Sequence, residues 1–255
     1  MKILALNGSH RGEAGCTQWL LNKMAEGAID AGAEFEIVTL ANHEIVPCTG
    51  CEICHTPEHY LKCVFAETDE VEAIHAKMRA ADIYIFATPV YVFTLSGLMK
   101  IFLDRLNSTL GSSELCVTKS GLFFGKVDPN FHSKPFVVLT CCGNVENETV
   151  KNVVAYYKTF ARFFDAPIVG VLTRKSIGVM GIGNGQEKGE QKPVITEVSN
   201  AYIQAGRELA LQGRITQGTQ KKANQDILSI PFSCILMRFR FLKEMVVRRI
   251  RGNKQ

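Results

Sequence analysis

Short apolar segments alternate with segments of helical periodicity along the first 172 residues. Residues 2–6 are almost continuously apolar and end in Asn-Gly-Ser, and residues 17–31 then repeat apolar side chains every three or four positions. A short apolar run bounded by turn residues predicts a buried strand, and the 3.6-residue period predicts an amphipathic helix. The chain therefore begins with the order strand, loop, helix.

The same alternation continues through four more strands. We predict strands at residues 35–40, 82–87, 136–140 and 168–172, and helices at residues 67–80, 97–107, 150–164 and 196–212. Apolar strands separated by helices indicate right-handed crossovers and a parallel sheet with helices on both faces. The prediction is an α/β fold with a flavodoxin-like five-stranded parallel sheet in the order 2-1-3-4-5. Ligands of such a sheet bind at the carboxyl ends of its strands, beside the switch between strands 1 and 3.

Regular patterning stops near residue 213. We predict one domain over residues 1–213 and, over residues 214–255, a linker followed by a helical C-terminal extension. The linker is expected at residues 213–224. Residues 231–251 interleave apolar side chains with six Lys or Arg residues, as a basic amphipathic helix does. Such a helix either packs on this protein or a neighbouring subunit, or lies on an anionic membrane surface as a peripheral contact. The first interpretation is favoured, because an uncovered apolar stripe promotes aggregation. A Gly-rich segment at residues 176–193 predicts an irregular flap or a small hairpin.

Composition limits the class of protein and its partners. The chain has 255 residues, 46% of them hydrophobic and 21% charged, and a net charge of +4, much of it in the last eighteen residues. This balance predicts a globular protein with no nucleic-acid partner. No apolar run reaches the roughly 18 to 20 residues needed to span a bilayer. Nothing at the N-terminus resembles a secretory signal, so we expect a cytoplasmic protein in which disulfides are disfavoured.

Four of the nine cysteines lie within sixteen residues, in a Cys-rich loop at residues 47–66 after the second strand. They are Cys48, Cys51, Cys54 and Cys63. Cysteines at i, i+3 and i+6 can turn their sulfurs toward one point, as a metal ion or cluster requires. Three close cysteines plus one favour a [4Fe–4S] cluster, because a zinc site more often shows two separated pairs. Ordinary buried thiols and a structural zinc ion stay open as alternatives.

Three loops follow the strands whose carboxyl ends form the ligand edge. The first, residues 8–17, places hydroxyls, an Arg and several Gly before a helix N-terminus, which favours phosphate binding. It is neither a G-x-x-x-x-G-K-[ST] loop nor G-x-G-x-x-G, and a simple capped turn is the alternative. In the second loop, Pro89 keeps the chain extended and presents Tyr91 where a planar heterocycle could lie, unless the aromatic residues are core or interface residues. The third loop, residues 140–144, has small residues that let the backbone approach a ligand.

Particular residues in these loops carry a family resemblance. They are Asn7-Gly8-Ser9-x-Arg11 with Thr17, then Thr88-Pro89-Val90-Tyr91, and Ser96-Gly97-x-x-Lys100-x-Phe102-x-Asp104-Arg105. With them, over about residues 1–172, the chain resembles the flavodoxin-fold NAD(P)H-dependent FMN reductases. The segment Cys48-x2-Cys51-x2-Cys54-x8-Cys63 makes it similar to the iron-sulfur flavoproteins of that family. Two features depart from the family pattern. His10 and Cys16 stand where such loops often carry Pro and Asn, and the last cysteine gap is longer than usual.

The resemblance implies where FMN binds. The first loop holds its phosphate through Ser9, Arg11 and Thr17, residues 89–94 line the isoalloxazine ring, and residues 140–144 close the other side. The full set of residues predicted to bind FMN is Ser9, His10, Arg11, Cys16, Thr17, Gln18, Pro89, Val90, Tyr91, Val92, Phe93, Thr94, Cys141, Cys142 and Gly143.

The predicted function is that of an FMN-dependent oxidoreductase with NAD(P)H as co-substrate and a small-molecule or protein electron acceptor. The cofactor would carry the chemistry, so no general acid or base is assigned. A [4Fe–4S] cluster at the four cysteines would divide two-electron flavin chemistry into single-electron steps. One alternative is a non-enzymatic electron carrier between ferredoxin-like partners, and another is a flavodoxin-like module with structural zinc. The resemblance also implies a homodimer or homotetramer.

Overall fold

A computed structural model of the chain describes residues 1–177, 193–227 and 239–252. Its strands are β1 (Lys2–Asn7), β2 (Glu34–Thr39), β3 (Ile83–Tyr91), β4 (Thr94–Leu95), β5 (Gly111–Val117), β6 (Phe123–Lys126), β7 (Phe136–Cys141) and β8 (Ile168–Arg174). Its helices are α1 (Cys16–Asp30), α2 (Val71–Ala80), α3 (Gly97–Asp104), α4 (Pro129–His132), α5 (Glu148–Phe163), α6 (Pro193–Gln212), α7 (Gln217–Ala223) and α8 (Arg240–Gly252).

The main sheet has the predicted order. Its five parallel strands lie in the order β2-β1-β3-β7-β8, which is 2-1-3-4-5 when only these strands are counted. The prediction of a flavodoxin-like parallel sheet is therefore confirmed. The strands β2 and β3 lie on opposite sides of β1. The direction in which successive strands are added to the sheet therefore reverses between β1 and β3. The carboxyl ends of β1, β3 and β7 meet at this switch.

Apolar side chains cover both faces of the sheet. On one face α1 and α6 contribute buried residues that include Met24 and Tyr202. On the other face α2, α3 and α5 contribute a second buried cluster that includes Phe102 and Tyr157. Every residue of β7 is buried, as expected for a central strand covered on both sides.

Two glycines allow α1 and α6 to pack backbone against backbone. A Cβ atom added to Gly27 would lie 1.8 Å from the carbonyl oxygen of Ile203, and one added to Gly206 would lie 1.9 Å from the carbonyl oxygen of Met24. These distances are far shorter than any van der Waals contact. The two helices can therefore keep this separation only with glycine at both positions.

Several elements differ from the sequence prediction. The strand β3 runs to Tyr91 instead of residue 87, because β4 folds back and pairs Leu95 with Val90. The antiparallel hairpin of β5 and β6 was not predicted. Its pairing shifts between Gly111 and Leu115, and this irregularity hides the alternation by which a strand is recognised.

The interpretation of residues 213–224 as a linker is wrong, because they contain α7. The side chain of Thr216 accepts a hydrogen bond from the amide of Thr219 and so caps this helix. Gln220 and Asn224 then accept hydrogen bonds from the amides of Val171 and Thr173, at 2.9 and 2.7 Å. These side chains satisfy the free edge of β8, a role that a sequence pattern does not reveal. The division of the chain after residue 213 stays a prediction.

The C-terminal extension forms the expected helix over its described part. In α8, Lys243 forms an ion pair with Glu146 at 2.6 Å, close to the loop after β7. Phe239, Phe241 and Met245 are exposed there, so a membrane or subunit contact stays a prediction. Residues 178–192, which include most of the predicted flap, and residues 228–238 lie outside the described residues. None of the described helices is both long enough and apolar enough to cross a membrane.

We expect Gly27→Ala and Gly206→Ala each to destabilise the protein. Each added methyl group must push α1 and α6 apart, and overpacking of this kind costs about 1–3 kcal/mol. The measurement is the free energy of unfolding from urea denaturation. The control is Gly218→Ala in α7, where nothing but the Thr216 hydroxyl, at 4.0 Å, lies near the added carbon. That variant should be neutral or more stable, because Ala favours a helix. Equal stability of all three variants would contradict the close crossing.

Candidate functional site

Hydrogen bonds join the loops after β1, β3 and β7 into one site at the switch of the sheet. The hydroxyl of Ser96, after β4, donates to the carbonyl oxygen of Gly8 at 2.6 Å. The hydroxyl of Thr17, in the first turn of α1, lies 3.3 Å from the sulfur of Cys141 at the end of β7. The three predicted loops are therefore neighbours in the folded chain.

The loop after β1 leaves room for an anion at the start of α1. Gly15 is the N-cap residue of the helix and has no side chain with which to cap it. A Cβ atom at Gly15 would lie 2.8 Å from the hydroxyl oxygen of the buried Ser9, so the glycine keeps the space beside this hydroxyl open. An uncapped helix N-terminus with a nearby hydroxyl is a favourable phosphate site. His10 and Arg11 lie on the exposed side of the same loop.

Gln18 points into the protein, although we predicted that it binds FMN. Its side-chain oxygen accepts a hydrogen bond from the side-chain amide of Asn7 at 2.8 Å and a longer one from the Thr39 hydroxyl at 3.4 Å. Its side-chain nitrogen donates to Asn22 at 2.8 Å. Gln18 thus ties the ends of β1 and β2 to α1, and its contact with FMN stays a prediction.

The second loop is a strained apolar turn. Val92 and Phe93, between β3 and β4, have φ angles of 45° and 69°, in the left-handed region. Two-residue turns of this kind usually contain Asn and Gly, because a β-branched residue is strained there. Val92 is nevertheless 87% exposed and Phe93 60% exposed. The adjoining Tyr91 lies with its ring 6.0 Å from that of His10, which brings the second loop next to the first. Backbone strain of this type concentrates at functional sites.

Ser96 and Thr88 belong to the motif that carries the family resemblance, but they were not among the residues predicted to bind FMN. Both are fully buried. Ser96 caps α3 by accepting from the amide of Met99 at 3.1 Å, and its own amide donates to the Thr88 hydroxyl at 2.9 Å. A Cβ at Gly8 would lie 2.8 Å from Met99, so the first loop is also packed tightly on α3. The signal that could have found Ser96 is its position as a serine immediately before an apolar helical segment, which is typical of an N-cap.

The third loop contributes neutral thiols. Cys141 and Cys142 are buried at the end of β7, and the adjoining Gly143 is exposed. Burial raises the pKa of the Cys141 thiol to about 12, although the hydrogen bond with Thr17 acts in the opposite direction. Burial likewise raises the pKa of Cys142. Neither residue is a thiolate near neutral pH, so both act as small buried side chains.

The four clustered cysteines line one small cavity of about 20 Å³. Burial, with smaller contributions from the neighbouring Cys63, Cys51 and Cys48 thiols, raises the pKa of Cys54. Four thiol donors on one cavity nevertheless fit a metal centre by their chemistry. Among residues 1–177, 193–227 and 239–252, no three or more His, Cys, Asp or Glu side chains are arranged to hold a metal ion.

The backbone of the Cys-rich loop is strained. Glu52 and Leu61 have φ angles of 58° and 59°, which non-glycine residues seldom adopt. One lies next to Cys51 and the other two residues before Cys63. Two of the four thiols are thus held close to unfavourable backbone conformations, as is common at ligand-binding positions.

The sheet and its convergent loops define a flavodoxin-like α/β protein with its binding edge at the switch point. A family model described as NADPH-dependent FMN reductase matches residues 1–169. The chain belongs to this family, which confirms the resemblance found in the sequence.

The chain is similar to two curated iron-sulfur flavoproteins in sequence and to an azoreductase in fold. An iron-sulfur flavoprotein of Archaeoglobus fulgidus is 35% identical over 105 residues, which cover 41% of this chain and 48% of the relative. An iron-sulfur flavoprotein of Methanocaldococcus jannaschii is also 35% identical over 105 residues, covering 41% and 51%. The chain spans about half the length of these curated relatives. Among solved structures, an FMN-dependent NADH-azoreductase of Bacillus anthracis in complex with FMN has a TM-score of 0.58 at 13% identity. The match covers 82% of this chain and 100% of the azoreductase chain. At this identity it shows the fold alone.

We expect Cys141 to be alkylated by iodoacetamide far more slowly than the exposed Cys116 in the folded protein at pH 8. A thiol with a pKa of about 12 has so little thiolate at this pH that reaction should be roughly a thousandfold slower. Peptide mass spectrometry measures both rates in one sample. In denaturant the two rates should become equal, because the burial that raises the pKa is lost. Equal rates in the folded protein would show that Cys141 is accessible and ionised.

Proposed function

We propose that this chain is an FMN-dependent oxidoreductase that takes electrons from NAD(P)H, and that its four-cysteine cavity holds a [4Fe–4S] cluster. The observation that carries the first part is the convergence of three loops at the sheet switch in a member of the FMN reductase family. The second part is supported by four thiols lining one cavity and by similarity to iron-sulfur flavoproteins.

The chain binds and orients the flavin in this proposal. The phosphate binds at the N-terminus of α1, where Gly15 leaves space beside Ser9 and the helix dipole favours an anion. Tyr91 and the turn at Val92 and Phe93 border the ring system on one side, and the loop at 140–144 borders it on the other. FMN supplies the electron-transfer chemistry when it is bound.

The redox centres are assigned to the flavin and to the Cys-rich loop. Cys141 and Cys142 do not line the four-cysteine cavity, so they are not assigned as ligands of the cluster. The metal ligands in this proposal are Cys48, Cys51, Cys54 and Cys63, whose thiols line the cavity. A cluster there would let the protein exchange single electrons with an acceptor.

The second candidate function is an electron carrier that exchanges electrons with protein partners and binds no nicotinamide. The observation that favours it is the exposed apolar turn at Val92 and Phe93, because a protein partner can bury such residues next to the flavin. A small-molecule acceptor would instead approach the open flavin without covering the turn.

The first experiment is an absorption spectrum of protein purified without oxygen, with flavin, iron, zinc and sulfide measured in the same sample. We expect one FMN and about four irons per chain, and bleaching of the flavin bands by NADH or NADPH. Flavin that neither nucleotide bleaches would support the carrier. Flavin without iron would support an FMN reductase that has no cluster. Zinc in place of iron would support a structural zinc site. Absence of flavin would refute the whole proposal.

Matched cysteine variants identify the metal ligands. Cys54→Ser should lower the iron content, because it removes a thiol from the cavity, whereas Cys116→Ser should leave it unchanged, because Cys116 is exposed on β5 and does not line the cavity. Equal iron in both variants and in the wild type would place the iron elsewhere.

We expect Ser96→Ala to weaken FMN binding as well as the fold. The variant loses the cap of α3, at a cost of about 0.5–2 kcal/mol, and the bond that holds the Gly8 carbonyl. The FMN dissociation constant, measured by fluorescence quenching, should rise roughly fivefold, which corresponds to about 1 kcal/mol. Thr216→Ala removes the cap of α7 and serves as the control. It should lower stability without changing FMN affinity. A similar loss of FMN affinity in both variants would show that Ser96→Ala acts through general destabilisation.

A further inference from the structure

Arg105 is a fully buried cation at the edge of the four-cysteine cavity. It follows α3 directly and begins a short 3₁₀ turn, Arg105–Thr109, and its residue surface is only 1% exposed. It lines the same cavity as Cys48, Cys51, Cys54 and Cys63. Burial of a guanidinium carries a large desolvation cost, which requires compensation by partners.

Among the described residues, only one of the three guanidinium nitrogens of Arg105 has hydrogen-bond partners. The Nη1 atom donates to the carbonyl oxygen of Val46 at 2.9 Å and forms an ion pair with Asp69, whose side chain is also fully buried. The Nε and Nη2 atoms are buried and have no hydrogen-bond partner in the part of the chain that the structure describes. Leaving buried donors unpaired costs about 1–3 kcal/mol each, and more for a charged group. Such donors indicate that an acceptor belongs beside them.

The residues that line the cavity carry two kinds of side-chain acceptor, the sulfurs of four cysteines and the oxygens of Thr49, Glu52, Asn107 and Ser108. The ring of Phe65 lies 5.7 Å from the guanidinium carbon. Four thiolates around a cluster carry net negative charge. Hydrogen bonds to the sulfurs and nearby charge are among the factors that set the reduction potential of such a cluster.

We propose that Arg105 is a positioning residue for this centre, donating hydrogen bonds from Nε and Nη2 to the sulfurs of a cluster held by Cys48, Cys51, Cys54 and Cys63. This inference rests on the proposed function, because it requires a cluster in the cavity. Reduction adds one electron to the cluster without forming or breaking a bond, and the fixed donors stabilise the added negative charge. Arg105 therefore raises the reduction potential and retains the iron.

The variant that tests the inference is Arg105→Lys. Lysine keeps the positive charge opposite Asp69 but lacks the planar pair of donors that would reach the sulfurs. Arg174→Lys is the matched control. Arg174 is equally buried, but it does not line the cavity, and its three side-chain nitrogens donate to the carbonyl oxygens of Lys175, Ala223 and Gln225.

The measurements are iron content, thermal unfolding without metal, and the midpoint potential of the cluster, from a titration with dithionite monitored by electron paramagnetic resonance. We expect a lower midpoint potential in Arg105→Lys than in the wild type, and iron release to a chelator about tenfold faster. Arg174→Lys should match the wild type in midpoint potential and in the rate of iron release. A folded Arg105→Lys protein with wild-type potential and iron release would overturn the inference while leaving the cluster assignment intact.

Two further outcomes separate the inference from the proposed function. Wild-type protein without iron would refute the cluster and the inference together, and this is measured before any variant is made. If Arg105→Lys fails to fold, the double variant Asp69→Asn with Arg105→Gln removes both charges of the buried pair at once. The inference then predicts a lower midpoint potential in the double variant, and a potential equal to that of the wild type would overturn it.

Discussion

The hydroxyl of Ser96 makes the contacts on which the geometry of the candidate flavin site depends. It donates to the carbonyl of Gly8 and accepts from the amide of Met99, so one oxygen atom joins the first loop to the start of α3. The Ser96 amide in turn donates to the hydroxyl of Thr88 at the end of β3. These groups are buried, and a partner lost from any of them leaves a polar atom unpaired away from water. The positions of the first loop, β3 and α3 are consequently determined together.

The sequence predicted the sheet and the three loops because those features have local signals. Apolar runs and helical periods are visible within ten to fifteen residues, and five helix-separated strands fit the flavodoxin-like strand order. The features that the prediction got wrong, such as the start of α2 and the presence of α7, depend on distant partners. The helix α2 begins at Val71, later than predicted, where the Asp69 carboxylate accepts from the Val71 amide and also pairs with Arg105, 36 residues away. The helix α7 likewise forms where Gln220 and Asn224 can bond to the edge of β8.

The Cys-rich loop shows a different limit of prediction. The spacing of the cysteines identified four residues that line one cavity. Their sulfur atoms are nevertheless not arranged around a common point. Ligands in a loop with only short 3₁₀ turns gain much of their final arrangement from bonds to the metal, because metal binding and folding are coupled. Arg105 belonged to the family motif, but its burial beside these thiols could not be foreseen from the motif. The fold was therefore more predictable than the chemistry of the cavity.

The crossing of α1 and α6 has a consequence for how the protein is made. The helix α1, whose N-terminus borders the first loop, is covered by α6 at Pro193–Gln212, whereas the family match ends at residue 169. A ribosome that has released only the matched region has not yet supplied the helix that covers Leu20 and Met24. The nascent chain must hold this apolar surface uncovered while the remaining residues are synthesised, which makes it a natural client for a chaperone at that stage.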